Sequence, residues 1–179
     1  YIELRKELTQ LGFRFKSKTD TEVILAAYEH WGDDCVLRFN GMWGFVIYDQ
    51  NQNRLFISRD RFGIKPLYFW QNTKLFSISS EIKQFYGIQS FTPAIEEESV
   101  LRFLYKNQLN TNRKTFFKDV FSLEPGHNLI YDLDSNKIDK KKYYDVNDIE
   151  IDTNISMSDA SEQFYHLFNQ AIKIRLRSD

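Results

Sequence analysis

The chain has 179 residues, with 24 Lys and Arg against 25 Asp and Glu and a formal net charge of −1, so its charge balance would not hold a nucleic acid by bulk electrostatics. Its length fits one domain, or one domain plus a fragment, and 16 Phe and 10 Tyr can fill a sizeable core. A single cysteine excludes an internal disulfide framework and suits a reducing cytoplasm; three scattered histidines give no metal-ligand spacing, and no stretch reads as a transmembrane helix, a signal peptide or a glycine-rich phosphate loop.

Residues 1–12 place Leu4, Leu8 and Leu11 at helical spacing, with charged Glu3, Arg5, Lys6 and Glu7 opposite and Gly12 as a C-cap. Residues 13–15 alternate apolar and basic side chains, as a short strand would. A second helix is predicted over 20–32, with Val23, Ala27, Trp31 and Cys35 on one face and Ile24 and Tyr28 beside them. Two residues compete for its start. Thr19 has Glu22 three positions on, a capping-box spacing, and Asp20 suits an N-cap or a first-turn acid. On the sequence alone, capping explains Asp20. Cys35 reads as a buried apolar thiol rather than a nucleophile, since no histidine or glycine-rich elbow accompanies it.

Residues 39–81 read as four strands in series. The apolar run 42–48 suits a strand buried on both faces. A hairpin turn at 49–53 leads to a return strand over 54–58, and 59–65 is a charged turn punctuated by Gly63. Pro66 opens a third strand over 67–70, which favours an edge or a strand start, and a fourth follows over 74–80. Hairpin-length connections predict an antiparallel sheet. Arg59, Asp60 and Arg61 invite a catalytic reading, but a charged turn between strands is more often a salt-bridged structural corner. Glu81 starts a short helical segment, where an acid is favoured in any case.

A further helix lies within 91–108, with Val100, Leu101 and Leu104 toward the core, and 108–115 is an Asn-rich loop. Residues 116–132 contain the turn Pro125-Gly126 and a strand over 128–131; His127 organises that turn rather than acting as a base. A basic strand over 137–144 and an acidic linker over 145–153 follow. Ser156, with Asp159 three residues on, starts a helix whose apolar stripe is Ala160, Phe164, Leu167, Phe168 and Ala171, running to about residue 177.

Asn40-Gly41-Met42, Arg59-Asp60-Arg61, Gly63, Lys65-Pro66-Leu67-Tyr68 and Ser80-Glu81-Ile82-Lys83, in that order, resemble the glutamine-hydrolysing domain of asparagine synthetases. That domain is a class II glutamine amidotransferase of the N-terminal nucleophile hydrolase fold. The resemblance runs from about residue 3 to residue 179. Residues 116–132 resemble the family's I-F-x-x-V-x-x-L-P-P-G-H-x-L, with Glu124 in place of the first proline. The loop at 108–115 departs from it, lacking the usual Pro-Gly turn. Arg175-Leu176-Arg177-Ser178-Asp179 resembles the R-L-x-S-D that precedes the ligase domain's pyrophosphate loop.

The resemblance implies an α+β fold of antiparallel sheets flanked by helices in α-β-β-α layers. It implies a partial amidotransferase domain over 1–145, a linker over 146–155, and the first helix of the ligase domain over 156–179. The family's S-D-T/C-E-V carries an Asp that binds the α-amino group of glutamine, which makes Asp20 the substrate-binding residue here. No catalytic, cofactor or metal residue is carried over. The family's nucleophile is a cysteine at position one of the mature chain, with its own amine as base and an Asn-Gly oxyanion pair distinct from Asn40-Gly41. The implied activity is glutamine hydrolysis supplying ammonia for ATP- and Mg²⁺-dependent amidation of aspartate, with ATP and Mg²⁺ used by the ligase domain and not by this segment. Both ends read as cut. The expectation is that this polypeptide alone neither hydrolyses glutamine nor binds ATP, and that an unpaired sheet edge leads to poor stability or association in isolation. Two alternatives stay open: amidation of another carboxylate, such as a sugar acid or a β-amino acid, and a non-catalytic binding relative. Relatives are often homodimers, and the oligomeric state is open too.

Overall fold

Asp60 sits where the chain leaves one sheet for another. The computed structural model describes residues 1–108 and 113–176. Its strands are β1 (Gly44–Asp49), β2 (Arg54–Arg59), β3 (Tyr68–Gln71), β4 (Phe76–Ser79), β5 (Val120–Ser122), β6 (His127–Asp132) and β7 (Ile138–Lys142). They form two sheets, in the orders β1-β2-β6-β7 and β4-β3-β5, and every pairing is antiparallel. The four strands predicted over 39–81 are present, but β3 and β4 belong to the second sheet and do not continue the first. Pro66 precedes a strand start, and β3 is the central strand of its sheet rather than an edge.

The cause is the turn at 59–65. Asp60 is 1% exposed, and its carboxylate accepts hydrogen bonds from the backbone N–H of Trp43, Phe62, Ile64 and Lys65 at 3.0–3.3 Å. Gly63, at φ +64°, supplies the left-handed residue that the reversal needs. Arg59 donates to the carbonyls of Gly63, Lys65 and Leu123 and to Ser122 Oγ, which ties the corner to β5. Arg61 donates to the carbonyls of Phe39 and Leu37. The corner is structural, as expected, but backbone groups satisfy its charges rather than surface ion pairs.

Alternation along the strands builds the layers. Ile57 of β2, Leu129 and Tyr131 of β6 and Phe69 of β3 meet between the two sheets, with Leu67 and Leu123. On the opposite side of β2, Phe56 is 0% exposed and packs with Leu8, Val23, Ala27, Cys35 and Val36 from the helices. On the far side of the second sheet, Trp70 and Val120 pack with Phe85 and Phe91 near the short 3₁₀ segment Ile82–Gly87. The order is helices, sheet, sheet, helical cover. β1 departs from expectation. Val46 and Tyr48 are 41% and 54% exposed and Ile47 is buried, so β1 is covered on one face only; it is an edge strand, paired with β2 alone among the described residues.

Helix α1 (Ile2–Gln10) buries Leu8 and ends at Gly12 with φ +97°, whereas Leu11 is exposed. Residues 13–15 form no strand; Phe13 and Phe15 pack against the helical layer instead. Helix α2 (Asp20–Trp31) buries Val23, Ala26 and Ala27, and a 3₁₀ segment, Gly32–Arg38, then carries Cys35 into the core. Helix α3 (Glu97–Lys106) buries no residue, which corrects the core-facing expectation: Leu101 and Leu104 are exposed, and Phe103 packs on the Phe116 ring instead. Of the predicted loop at 108–115, residues 109–112 lie outside the described residues.

Two compact units divide the chain, Tyr1–Tyr144 and Asp145–Asp179. In the second, Ser156 Oγ accepts from the Asp159 N–H, the N-cap half of the capping box that the spacing predicts, while the Asp159 carboxylate accepts from Ser156 Oγ. Helix α4 (Met157–Arg175) follows, with Phe164 and Phe168 stacked at 5.7 Å. The Arg177-Ser178-Asp179 motif lies outside the described residues. No described helix is long and apolar enough to cross a membrane.

Candidate functional site

Asp20 is the first residue of α2, preceded by Thr19 in extended conformation at φ −73° and ψ 152°. Neither predicted cap forms: the Thr19 side chain bonds no N–H of the helix, and Asp20 lies inside the first turn rather than at the N-cap. Its carboxylate is exposed and makes no hydrogen bond or ion pair with a described residue. A carboxylate here is favoured by the partial positive charge of the helix start, and its acceptor oxygens are not taken up by described residues. Of the two local readings of Asp20, the first-turn acid holds and the N-cap does not.

The segment before it is held from both sides. Glu22 does not reach back to Thr19. Its Oε1 accepts from the Lys16 N–H at 2.7 Å, and its Oε2 accepts from the Ser17 N–H at 2.8 Å and from Ser17 Oγ at 2.7 Å. These donors, the Lys16 N–H first, lower the Glu22 carboxyl from its usual 4.5 to about 2. From the other side, Arg5 of α1 donates to the carbonyls of Ser17 and Thr19, each at 2.7 Å, and its guanidinium lies 4.6 Å from the centre of the Phe15 ring. Local spacing gave no signal for Arg5, because its partners lie 12 and 14 residues away.

The other candidate residues fall into structural roles. Cys35 is 0% exposed, and burial, reinforced by Asp33, pushes its thiol up to about 12. A thiol so placed is a poor nucleophile. His127 donates from Nδ1 to the Pro125 carbonyl at 2.8 Å and so organises its turn. Glu81 is exposed and pairs with Lys83. Asn40 and Gly41 lie exposed ahead of β1.

A polar cleft of about 610 Å³ opens beside the 3₁₀ segment, lined among others by Asp33, Arg54, Asn128, Lys141 and Tyr143. Arg54 is already committed there: it donates to both oxygens of Asp33 at 2.6 and 3.3 Å and to the Tyr28 hydroxyl at 2.9 Å. Tyr28 in turn donates to Asp49, and burial followed by that bond raises its hydroxyl to about 12. Among the described residues, no group of three or more His, Cys, Asp or Glu could hold a metal ion.

Comparisons with known proteins place this geometry. The glutamine amidotransferase domain family matches residues 1–144. A protein of Methanocaldococcus jannaschii, provisionally named asparagine synthetase [glutamine-hydrolyzing] 2, is 34% identical over 186 residues, covering 100% of this chain and 34% of its own length. Asparagine synthetase [glutamine-hydrolyzing] 3 of Bacillus subtilis is 31% identical over 177 residues, covering 99% of this chain and 28% of its own. The chain therefore spans about a third of the length of these relatives. Among solved structures, glutamine phosphoribosylpyrophosphate amidotransferase of B. subtilis superposes with a TM-score of 0.57 at 15% identity, over 80% of this chain and 26% of that one. At that identity the likeness speaks for the fold, which is the α+β N-terminal nucleophile hydrolase arrangement of antiparallel sheets flanked by helices.

Proposed function

The chain belongs to the class II glutamine amidotransferase domain family, and from that premise we propose that it recognises glutamine through Asp20, within a glutamine-dependent asparagine synthetase. The observation that carries the reading is the state of Asp20: an exposed carboxylate at the start of α2, on a clamped segment, with no described partner of its own. Such a group pairs with the α-ammonium of a free amino acid and discriminates against an amide that lacks it. Glutamine then gives glutamate and ammonia. Cys35 has no part in that chemistry, since its thiol is buried and protonated.

In the whole protein, the ammonia goes on to amidate aspartate, with ATP and Mg²⁺ serving the ligase part. Residues 146–155 serve as the connection, and α4 as the first helix of that part. The two relatives named as asparagine synthetases, similar along essentially the whole chain, support this acceptor over other carboxylates.

The test is Asp20→Asn in the full-length protein. The KM for L-glutamine should rise roughly tenfold, the equivalent of one charge-assisted hydrogen bond. The inhibition constant of 4-carbamoylbutanoate, which is glutamine without its amino group, should stay put. An unchanged KM for L-glutamine sinks the reading.

A further inference from the structure

We propose that Glu22 and Arg5 are positioning residues for glutamine recognition, acting through Asp20 by fixing residues 16–19; this rests on the reading of Asp20 given above. The nine residues 11–19 that join α1 to α2 contain no strand, so the backbone groups of 16–19 find no ladder to pair with. Two side chains of opposite charge take the place of one. Glu22 accepts from two N–H groups and a hydroxyl, and Arg5 donates to two carbonyls. Ser17 is held from both sides, its N–H and Oγ by Glu22 and its carbonyl by Arg5.

Both oxygens of Glu22 already accept in this clamp, so turning Glu22 toward a substrate ammonium would compete with the bonds that hold the segment leading into Asp20. The division of labour follows. Of the two acids in the first turn of α2, Glu22 binds the protein's own backbone and Asp20 is left for the ligand. A carboxylate on a fixed backbone binds an ammonium without a further ordering cost, the usual gain from preorganisation. Arg5 contributes through its planar fork, which spans two carbonyls two residues apart, as a lysine's single ammonium would not.

The experiment compares Glu22→Gln, Arg5→Lys, Asp20→Asn and the Asp20→Asn/Glu22→Gln double variant in the full-length protein. The readouts are KM and kcat for L-glutamine, the inhibition constant of 4-carbamoylbutanoate, and amide exchange at Lys16 and Ser17. Glu22→Gln should raise the glutamine KM roughly three- to tenfold, leave kcat within about twofold, leave the deaminated analogue unchanged and speed exchange at both amides. The double variant should bind glutamine no worse than Asp20→Asn alone, because the clamp has nothing left to position. Arg5→Lys should reproduce the effect more weakly, and it decides the matter if Glu22→Gln does not fold. Equal losses for glutamine and its analogue, additive losses in the double variant, or faster exchange with an unchanged KM would each overturn the proposal. If Asp20→Asn itself leaves glutamine binding intact, the reading of Asp20 fails and the proposal goes with it. A loss in Asp20→Asn with none in Glu22→Gln or Arg5→Lys leaves that reading standing and overturns the clamp.

Discussion

Trp43 and Asp60 hold each other across the base of the first hairpin. The Asp60 N–H donates to the Trp43 carbonyl at 3.0 Å, and the Trp43 N–H donates back to Asp60 Oδ2 at 3.3 Å. Three further backbone N–H groups, of Phe62, Ile64 and Lys65, converge on the same carboxylate. Replacing Asp60 by Ala strands these donors beside a buried site, and an unsatisfied donor costs about 1–3 kcal/mol. Asp60→Ala should therefore lower the unfolding free energy by about 3 kcal/mol or more, measured by urea titration. Asp60→Asn, which keeps one acceptor oxygen, should lose less. Equal stability of the wild type and Asp60→Ala would mean that the corner does not depend on this residue.

Gly126 links the same corner to the end of β7. Its N–H donates to the Asp60 carbonyl at 2.9 Å, and its own carbonyl accepts from Tyr143 and Tyr144 at 2.8 and 3.2 Å. The backbone is at φ +67°, and an added Cβ would lie 2.6 Å from the Tyr144 carbonyl oxygen. Because the clash is with backbone, side-chain rotation cannot relieve it. Gly126→Ala should cost about 2–4 kcal/mol, beyond the usual 1–2 kcal/mol penalty for an L-residue in left-handed backbone. A drop in thermal midpoint of less than a few degrees would count against this geometry.

Glu22 gives a pH dependence with a definite sign. Its carboxyl falls from the usual 4.5 to about 2 because the ionised form accepts three hydrogen bonds from Lys16 and Ser17. A value depressed in the folded state means that the clamp's contribution to stability is fully present above 4.5 and is lost as the pH falls through about 2, where Glu22 is half protonated. Carboxyl-carbon NMR should place the Glu22 midpoint near 2, and exchange at the Lys16 and Ser17 amides should quicken over the same range. A midpoint near 4.5 would show that the bonds are not kept in solution.

Cys35 should resist thiol reagents. Its side chain is fully buried, and its thiol is raised to about 12, so almost no thiolate is present at pH 8. A disulfide-exchange reagent at pH 8 should leave it untouched in the native protein and titrate one thiol in urea. Cys35→Ala, a small truncation, should cost about 1–2 kcal/mol. Rapid native-state labelling would contradict the packing around it.

The local rules of sequence reading held where contacts are local. The Ser156 N-cap bond to Asp159, the helix end at Gly12 and the hairpin at 49–53 depend on neighbours a few residues apart, and spacing encodes them directly. Asp20 was legible as an acid that could either cap or bind. Its freedom from capping was not, because that depends on the helix starting at Asp20 itself, with Thr19 at the N-cap position. The stripe of α3 misled in the same way: Leu101 and Leu104 have helical spacing, but whether a core lies opposite them is not a property of their spacing.

By itself, then, the sequence determined most of the helices, the first hairpin, the turns and, through its ordered motifs, the family. Tertiary structure alone decided that the strands over 39–81 split between two sheets, since the buried Asp60 carboxylate gathers the N–H groups of Phe62, Ile64 and Lys65 and so turns the chain away from β2. It also decided that Arg5 and Glu22, 17 residues apart in the sequence, act on one short segment. Hydrogen bonds between distant residues are set by where the chain returns, and that return is fixed by burying Leu8, Val23 and Phe56 in one shared core.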